Sequence, residues 1–122
     1  VQAVEVTKNN TGLNLCIAFD YGGRAEIVDA VNRLLEAGTP PYKIDEAAIS
    51  ANLYLPGVPE PDLIIRTAGE QRISNFLIWQ SAYSEYYSTK TCWPDIDSVE
   101  IQQAINEYSQ RQRRFGRLPA ED

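Results

Sequence analysis

Short apolar runs and amphipathic stretches alternate along this 122-residue chain. Residues 13–19, LNLCIAF, are almost continuously apolar, which predicts a strand buried on both faces, as in a parallel sheet. Asp20-Tyr21-Gly22-Gly23-Arg24 reads as a turn. Beyond it Ile27, Val28, Val31, Leu34 and Leu35 recur at helical spacing, and Gly38 with Pro40-Pro41 stops that helix. Asp45 predicts the N-cap of a second, shorter helix, with Ile44 and Ile49 spaced as a hydrophobic staple. Pro56-Gly57 and Pro59-Glu60-Pro61 break the pattern. Residues 62–65, DLII, predict the next strand, ending at Arg66. In NFLIWQSAYSEYY helix and strand compete. The spread of apolar positions favours a short helix over 75–83 and a short strand over 85–88. Trp93-Pro94-Asp95 is a turn, and Asp97 with Glu100 has capping-box spacing. Ile101, Ala104, Ile105 and Tyr108 then mark one face of a last helix, which ends in the basic run before Gly116, ahead of a frayed tail.

Strands alternating with helices predict an α/β fold, a parallel β-sheet with flanking helices. Only about three strands can be found, so residues 1–122 read as a single partial domain. No internal repeat or low-complexity segment is present. With 43% apolar and 23% charged residues the chain is globular in composition. No apolar run approaches the roughly 18–20 residues of a membrane span. The first ten residues lack the basic stretch and apolar core of a secretory signal. The sequence contains no Met, which leads us to expect a lost N-terminus or a piece of a longer chain. A net charge of −6 argues against general nucleic-acid binding. The charge is uneven, however. Arg111, Arg113, Arg114 and Arg117 crowd the C-terminus, and Arg66 and Arg72 flank one short loop. A phosphate responds mainly to charge within a Debye length of about 8 Å. The absence of His removes His-based acid–base chemistry and His-ligated zinc. Cys16 and Cys92 form no CxxC pair; Cys16 is expected as a buried free thiol and a reducing cytoplasm as the compartment.

The segment from Asp62 to Asn75 concentrates the candidate chemistry, as a strand, a Gly-containing loop and an expected helix start. Ligands of open α/β sheets sit beyond the carboxyl ends of the strands. Arg66 and Arg72 offer charge-assisted donors suited to phosphate, and Ser74 adds a hydroxyl. A second reading stands beside this one: Ser74 as a plain N-cap and Arg66 as a partner of Glu70. No GxxxxGKS/T pattern is present, so a P-loop is excluded. Glu85 lies among Tyr83, Tyr86 and Tyr87. A carboxylate there is solvated, paired with an Arg, or a magnesium ligand acting together with substrate phosphates; pattern alone favours the first two. Arg113 and Arg114 fit a helix C-terminus, where cations interact well with the dipole. Tyr21-Gly22-Gly23-Arg24 suits either a phosphate cradle or a tight strand-to-helix turn.

Several stretches resemble the C-terminal half of the cis-prenyltransferases, the undecaprenyl diphosphate synthase type. They are Tyr21-Gly22-Gly23-Arg24-Ala-Glu-Ile, the run from Pro61 through Arg66, Arg72 and Ser74 to Gln80, Ala82-Tyr-Ser-Glu85, Trp93-Pro94-Asp95, and Arg113-Arg-Phe-Gly116. Order and spacing agree from about Thr11 to Gly116. The resemblance implies about half of the cis-prenyltransferase fold. It also implies condensation of isopentenyl diphosphate with an allylic diphosphate such as farnesyl diphosphate, each addition making a cis double bond and Mg²⁺ assisting departure of diphosphate. By position Arg66, Arg72, Ile73 and Ser74 match the isopentenyl diphosphate site, and Glu85 the magnesium ligand. Arg114 and Gly116 match a C-terminal Arg-x-Gly that serves substrate binding and reaches a neighbouring subunit in some members. The resemblance further implies a homodimer, and peripheral contact with membranes through the lipid product. Asp20, Ala68 and Gln71 depart from the usual residues. The family's Asp-Gly-Asn-Gly-Arg loop, with its catalytic Asp, is not in this sequence, so the chain alone is expected to turn over little or no substrate. A non-catalytic partner subunit or an inert diphosphate-binding remnant is the alternative. Partner subunits of the family typically lose the diphosphate-gripping residues, and these are kept here.

Overall fold

The computed structural model describes residues 2–111. Six elements follow in order: helix α1 (Gln2–Thr7), helix α2 (Gly23–Glu36), helix α3 (Glu46–Ser50), strand β1 (Leu63–Arg66), strand β2 (Glu85–Ser88) and helix α4 (Ser98–Gln110). Short 3-10 turns at Pro41–Lys43 and Trp93–Asp95 precede α3 and α4. The two strands pair in parallel, with Leu63 opposite Glu85 and Arg66 opposite Ser88. The α/β class with a parallel sheet and flanking helices is therefore as expected. The sheet has two strands among the described residues, not three.

Local signals place most of these elements. Asp45 caps α3, its Oδ1 accepting from Ala48 N–H at 2.8 Å. Asp97 caps α4 by accepting from Glu100 N–H at 2.9 Å. The α4 box is only half closed, because the Glu100 carboxylate accepts from the hydroxyls of Tyr87 and Thr91 instead of turning back to the cap. Helix α2 ends at Gly38, which has φ +70°. The N–H groups of Gly38 and Thr39 donate to the carbonyls of Leu35 and Leu34, a Schellman closure that needs a left-handed residue.

Burial along α2 differs from the hydrophobic pattern. The buried stripe is Gly23, Glu26, Ala30 and Leu34, while Val28 and Leu35 lie exposed. Leu53, Ile64 and Ala104 complete the apolar core. α2 packs on α3, and α4 on β2.

Two predicted elements do not form. Residues 13–19 carry no regular structure and are exposed throughout, Leu13 and Phe19 almost completely. A parallel strand needs a neighbour to bond, and β1 and β2 pair only with each other. Cys16, expected buried in that run, is exposed, and both cysteines are free. Residues 75–83 form a succession of turns rather than a helix. Ser74, Asn75 and Leu77 have φ of 52°, 62° and 48°, which an α-helix cannot accommodate.

Candidate functional site

The carboxyl end of β1 opens into a loop locked against the end of β2. Thr89 N–H donates to the Arg66 carbonyl at 2.8 Å, Gly69 N–H to Thr89 at 2.7 Å, and Ala68 N–H to Thr91 at 2.9 Å. The Ser88 hydroxyl donates to the Glu70 carbonyl at 2.9 Å. Strand pairing thus continues past the sheet and fixes the reversal at Ala68-Gly69, both left-handed with φ of 58° and 71°. An Ala in that region costs roughly 1–2 kcal/mol, and the four bonds hold it there. The reversal places Arg66 and Ser74 together: Arg66 Nη2 donates to Ser74 Oγ at 3.4 Å. Arg72 projects into solvent, 73% exposed, and pairs with Glu70 at 2.7 Å.

The far side of the loop is held by helix α2. Asn75 caps α2 from 51 residues away, with its carbonyl accepting from Gly23 N–H at 2.8 Å and its Oδ1 from Arg24 N–H at 2.9 Å. Gly23 is obligatory at this contact. A Cβ there would lie 2.8 Å from Ile78 Cγ1 and 3.0 Å from the Asn75 carbonyl. The two glycines of Tyr21-Gly22-Gly23-Arg24 therefore serve close approach of the turn to the loop.

Beneath the turn lies Glu26, 1% exposed. Its Oε1 accepts from Tyr54 N–H at 2.9 Å, and its Oε2 from Gln80 Nε2 at 3.0 Å and from the Tyr21 hydroxyl. Burial, then the bond to Glu26 and its charge, raise the Tyr21 phenol above its ordinary range. Tyr21 stacks edge-on against both Tyr54 and Phe76. A cleft of about 280 Å³ borders this group, lined by Ile17, Phe19, Tyr21, Leu55, Phe76 and Leu77 among others.

Of the residues singled out by sequence, Arg66, Arg72, Ile73 and Ser74 therefore share one loop, Ile73 half-buried within it. Ser74 caps no helix, and Arg72, not Arg66, pairs with Glu70. Glu85 stands apart, at the start of β2 opposite Leu63, three residues from the strand end that carries the loop, or about 10 Å along the sheet. Its Oε2 pairs with Arg111 Nη1 at 3.0 Å, so an Arg-paired carboxylate is what the fold contains. It is one carboxylate oxygen donor already in an ion pair, so it supplies at most one of the ligands Mg²⁺ takes, the others being waters and substrate phosphates. No group of three acidic or thiol ligands occurs among the described residues. Arg114 and Gly116 lie outside the described residues. Sequence reading assigned no role to Asn75, Glu26 and Gln80, and placed Arg111 only in the basic run near the C-terminus, not as the partner of Glu85. The i, i+4, i+8 series Glu26, Ala30, Leu34 was the one signal that a polar residue belongs to the buried face of α2.

The model of a prenyltransferase family described as "Putative undecaprenyl diphosphate synthase" matches residues 1–116. The chain belongs to that family. An isoprenyl transferase of Fusobacterium nucleatum is 58% identical over 112 residues, covering 92% of this chain and 47% of the relative. One from Chromobacterium violaceum is 57% identical, covering 91% and 43%. Among solved structures, lavandulyl diphosphate synthase from Lavandula x intermedia, in complex with dimethylallyl diphosphate, superposes with a TM-score of 0.87 at 38% identity. A probable undecaprenyl diphosphate synthase from Campylobacter jejuni gives 0.81 at 35%. These cover 95% and 93% of this chain and 52% of each structure. The chain thus spans about half the length of the relatives it matches. None of its described helices is long and apolar enough to cross a membrane.

Proposed function

We propose that this chain carries the isopentenyl-diphosphate-binding part of a cis-prenyltransferase. The observation that supports this best is the locked loop after β1, which sets the Arg66 guanidinium beside the Ser74 hydroxyl with Arg72 reaching outward. Two guanidinium forks and a hydroxyl match a diphosphate in charge and donor geometry. A substrate phosphate displaces Glu70 from Arg72, exchanging a half-buried single anion for a doubly charged one. The apolar cleft beside Phe76 and Leu77, which follow Ser74 closely in sequence, suits a short isoprenoid tail.

In the reaction the allylic C–O bond breaks and diphosphate departs. The terminal alkene carbon of isopentenyl diphosphate forms the new C–C bond, and a proton is lost to leave a cis double bond. The work of this chain is to fix the isopentenyl diphosphate so that its alkene stands at the allylic carbon, an orientation effect, while Arg66 and Arg72 hold its negative charge. Mg²⁺, when bound, offsets charge on the departing diphosphate, and Glu85 is the carboxylate we assign to it. The catalytic Asp of the family is not among these residues, so the chain alone turns over little or no substrate. Farnesyl diphosphate is the proposed allylic partner, a homodimer the proposed assembly with Arg114 and Gly116 serving substrate at its interface, and the cytoplasm the proposed compartment. Contact with membranes comes only through the lipid product.

Amide NMR of the chain titrated with isopentenyl diphosphate tests the binding role. Shifts centred on residues 66–75 are expected. Arg72→Ala weakens binding about 10- to 100-fold, the loss of one or two charge-assisted hydrogen bonds. Equal affinity in Arg72→Ala and the parent chain refutes the assignment.

A further inference from the structure

Arg24 is the part of the Tyr21-Gly22-Gly23-Arg24 turn that the fold leaves without a task. Among the described residues, Arg33 donates to the Asn52 carbonyl and stacks on Tyr54, and Arg66 meets Ser74. Arg72 meets Glu70, and Arg111 meets Glu85 and Glu107. The Arg24 guanidinium has no such partner among them, and the residue is exposed. The carboxylates nearest in sequence do not serve it. Glu26 is buried, with its oxygens taken by Tyr21, Tyr54 and Gln80, and Asp20 forms no ion pair among the described residues. Arg24 is also the second residue of α2, where the helix dipole presents its positive end and favours an anion over a cation. An arginine at that position is stabilised by negative charge brought from outside the helix.

The loop that carries Arg66, Arg72 and Ser74 docks on this end of α2. Arg24 N–H donates to Asn75 Oδ1 at 2.9 Å and Gly23 N–H to the Asn75 carbonyl at 2.8 Å, and Ser74 is one Cα step, about 3.8 Å, from Asn75. Helical side chains lean back toward the N-terminus of their helix, which here is the side the loop occupies. Resting on the reading of that loop as the isopentenyl diphosphate site, we propose that Arg24 is a third guanidinium for the diphosphate, brought to the loop by the Gly22-Gly23 turn. The first two N–H groups of α2 are already bonded to Asn75, so the contact is made by the side chain and not by the helix end. Arg66, Arg72 and Ser74 suffice for one phosphoryl group. The third cation adds affinity for a ligand that carries two, because charge-assisted donors multiply with the anionic oxygens they meet. Bound diphosphate thereby joins α2 to the loop after β1.

Calorimetric titration of the 122-residue chain with isopentenyl diphosphate and with isopentenyl monophosphate tests this without any turnover. Arg24→Ala is expected to bind the diphosphate roughly tenfold more weakly than the parent, the loss of one charge-assisted contact. Its affinity for the monophosphate changes about twofold or less on the same grounds, and its melting temperature stays that of the parent. Arg24→Lys, which keeps the charge without the fork, recovers part of the diphosphate affinity. Should Arg24→Ala not fold, Arg24→Gln is read in the same way. A folded Arg24→Ala that binds the diphosphate as the parent does, while Arg72→Ala is weakened, overturns the third contact and leaves the loop as the site. Equal losses for both ligands, with no recovery in Arg24→Lys, assign Arg24 to the fold and overturn the proposal. No diphosphate binding by the parent, or no loss in either Arg24→Ala or Arg72→Ala, removes the reading of the loop and the third contact with it.

Discussion

Asn75 holds a φ of 62° while both of its oxygens accept from the first turn of α2. Asn tolerates the left-handed region better than other residues with a Cβ, and its amide oxygen is a strong helix cap. Both properties are needed at once, which ranks the substitutions. Asn75→Asp keeps an acceptor and the turn, and is expected close to the parent in stability. Asn75→Gly keeps the turn but loses the side-chain acceptor, a cost of about 1 kcal/mol for one hydrogen bond. Asn75→Ala loses the acceptor and adds left-handed strain, and is expected lowest, by roughly 2 kcal/mol. Urea midpoints order the series, and Asn75→Asp falling as low as Asn75→Ala contradicts the capping role. Nothing near Asn75 in sequence announced this. Its partners, Gly23 and Arg24, are more than 50 residues away, whereas the caps at Asp45 and Asp97 were legible because each bonds an N–H three residues on.

At the level of elements, the parts readable from sequence are those whose determinants are local. β1 and β2 lie where the apolar and aromatic runs placed them, and α3 and α4 begin at their predicted caps. The 75–83 segment is apolar enough for a helix, but its backbone is set by docking on α2, and tertiary bonds override the pattern. The candidate loop was legible in its residues, Arg66, Arg72 and Ser74, and not in its shape, which depends on Thr89 and Thr91 beyond the next strand. Glu100 shows a local signal diverted by the sheet. It has capping-box spacing, yet its carboxylate ties α4 to β2 through Tyr87 Oη at 2.7 Å and to Thr91 Oγ1 at 3.0 Å. The bond from Tyr87, then those from the threonines, lower its pKa below the ordinary 4.5. A carboxylate depressed in the folded state stabilises in full above its unfolded value, and that contribution is lost as pH falls through the folded value. The parent chain should therefore lose thermal stability below about pH 4.5, and Glu100→Gln should lose less there, starting from a lower melting temperature at pH 7. Parallel melting curves for the two proteins from pH 7 to pH 3 would show that Glu100 carries no such linkage.

At the scale of the whole molecule, the described apolar residues left in water outweigh those taken out of it. The buried apolar core is Ala30, Leu34, Leu53, Ile64 and Ala104. Against it stand Leu13, Leu15, Ile17 and Phe19, at 92%, 77%, 81% and 93% exposure, with Val28 and Leu35 on the outer face of α2. A run of exposed apolar side chains such as 13–19 is unusual on a monomer in water and marks a surface that associates. The sequence pattern predicted burial for 13–19, and the fold leaves the run exposed. Burial is a property of what lies opposite, and that could not be read from the run itself. The chain spans about half the length of its relatives. It follows that the chain self-associates at micromolar concentration, and that the association is separable from folding. Leu15→Ser with Ile17→Ser should reduce the sedimenting oligomer and the binding of a hydrophobic dye. The melting temperature should stay nearly unchanged, because neither side chain is buried in the fold. If the double variant instead unfolds, those side chains contribute to a core in solution, and the run is a strand after all. If it folds and still associates, the adhesive surface lies on α2 at Val28 and Leu35, where the same pair of measurements on Val28→Ser with Leu35→Ser locates it.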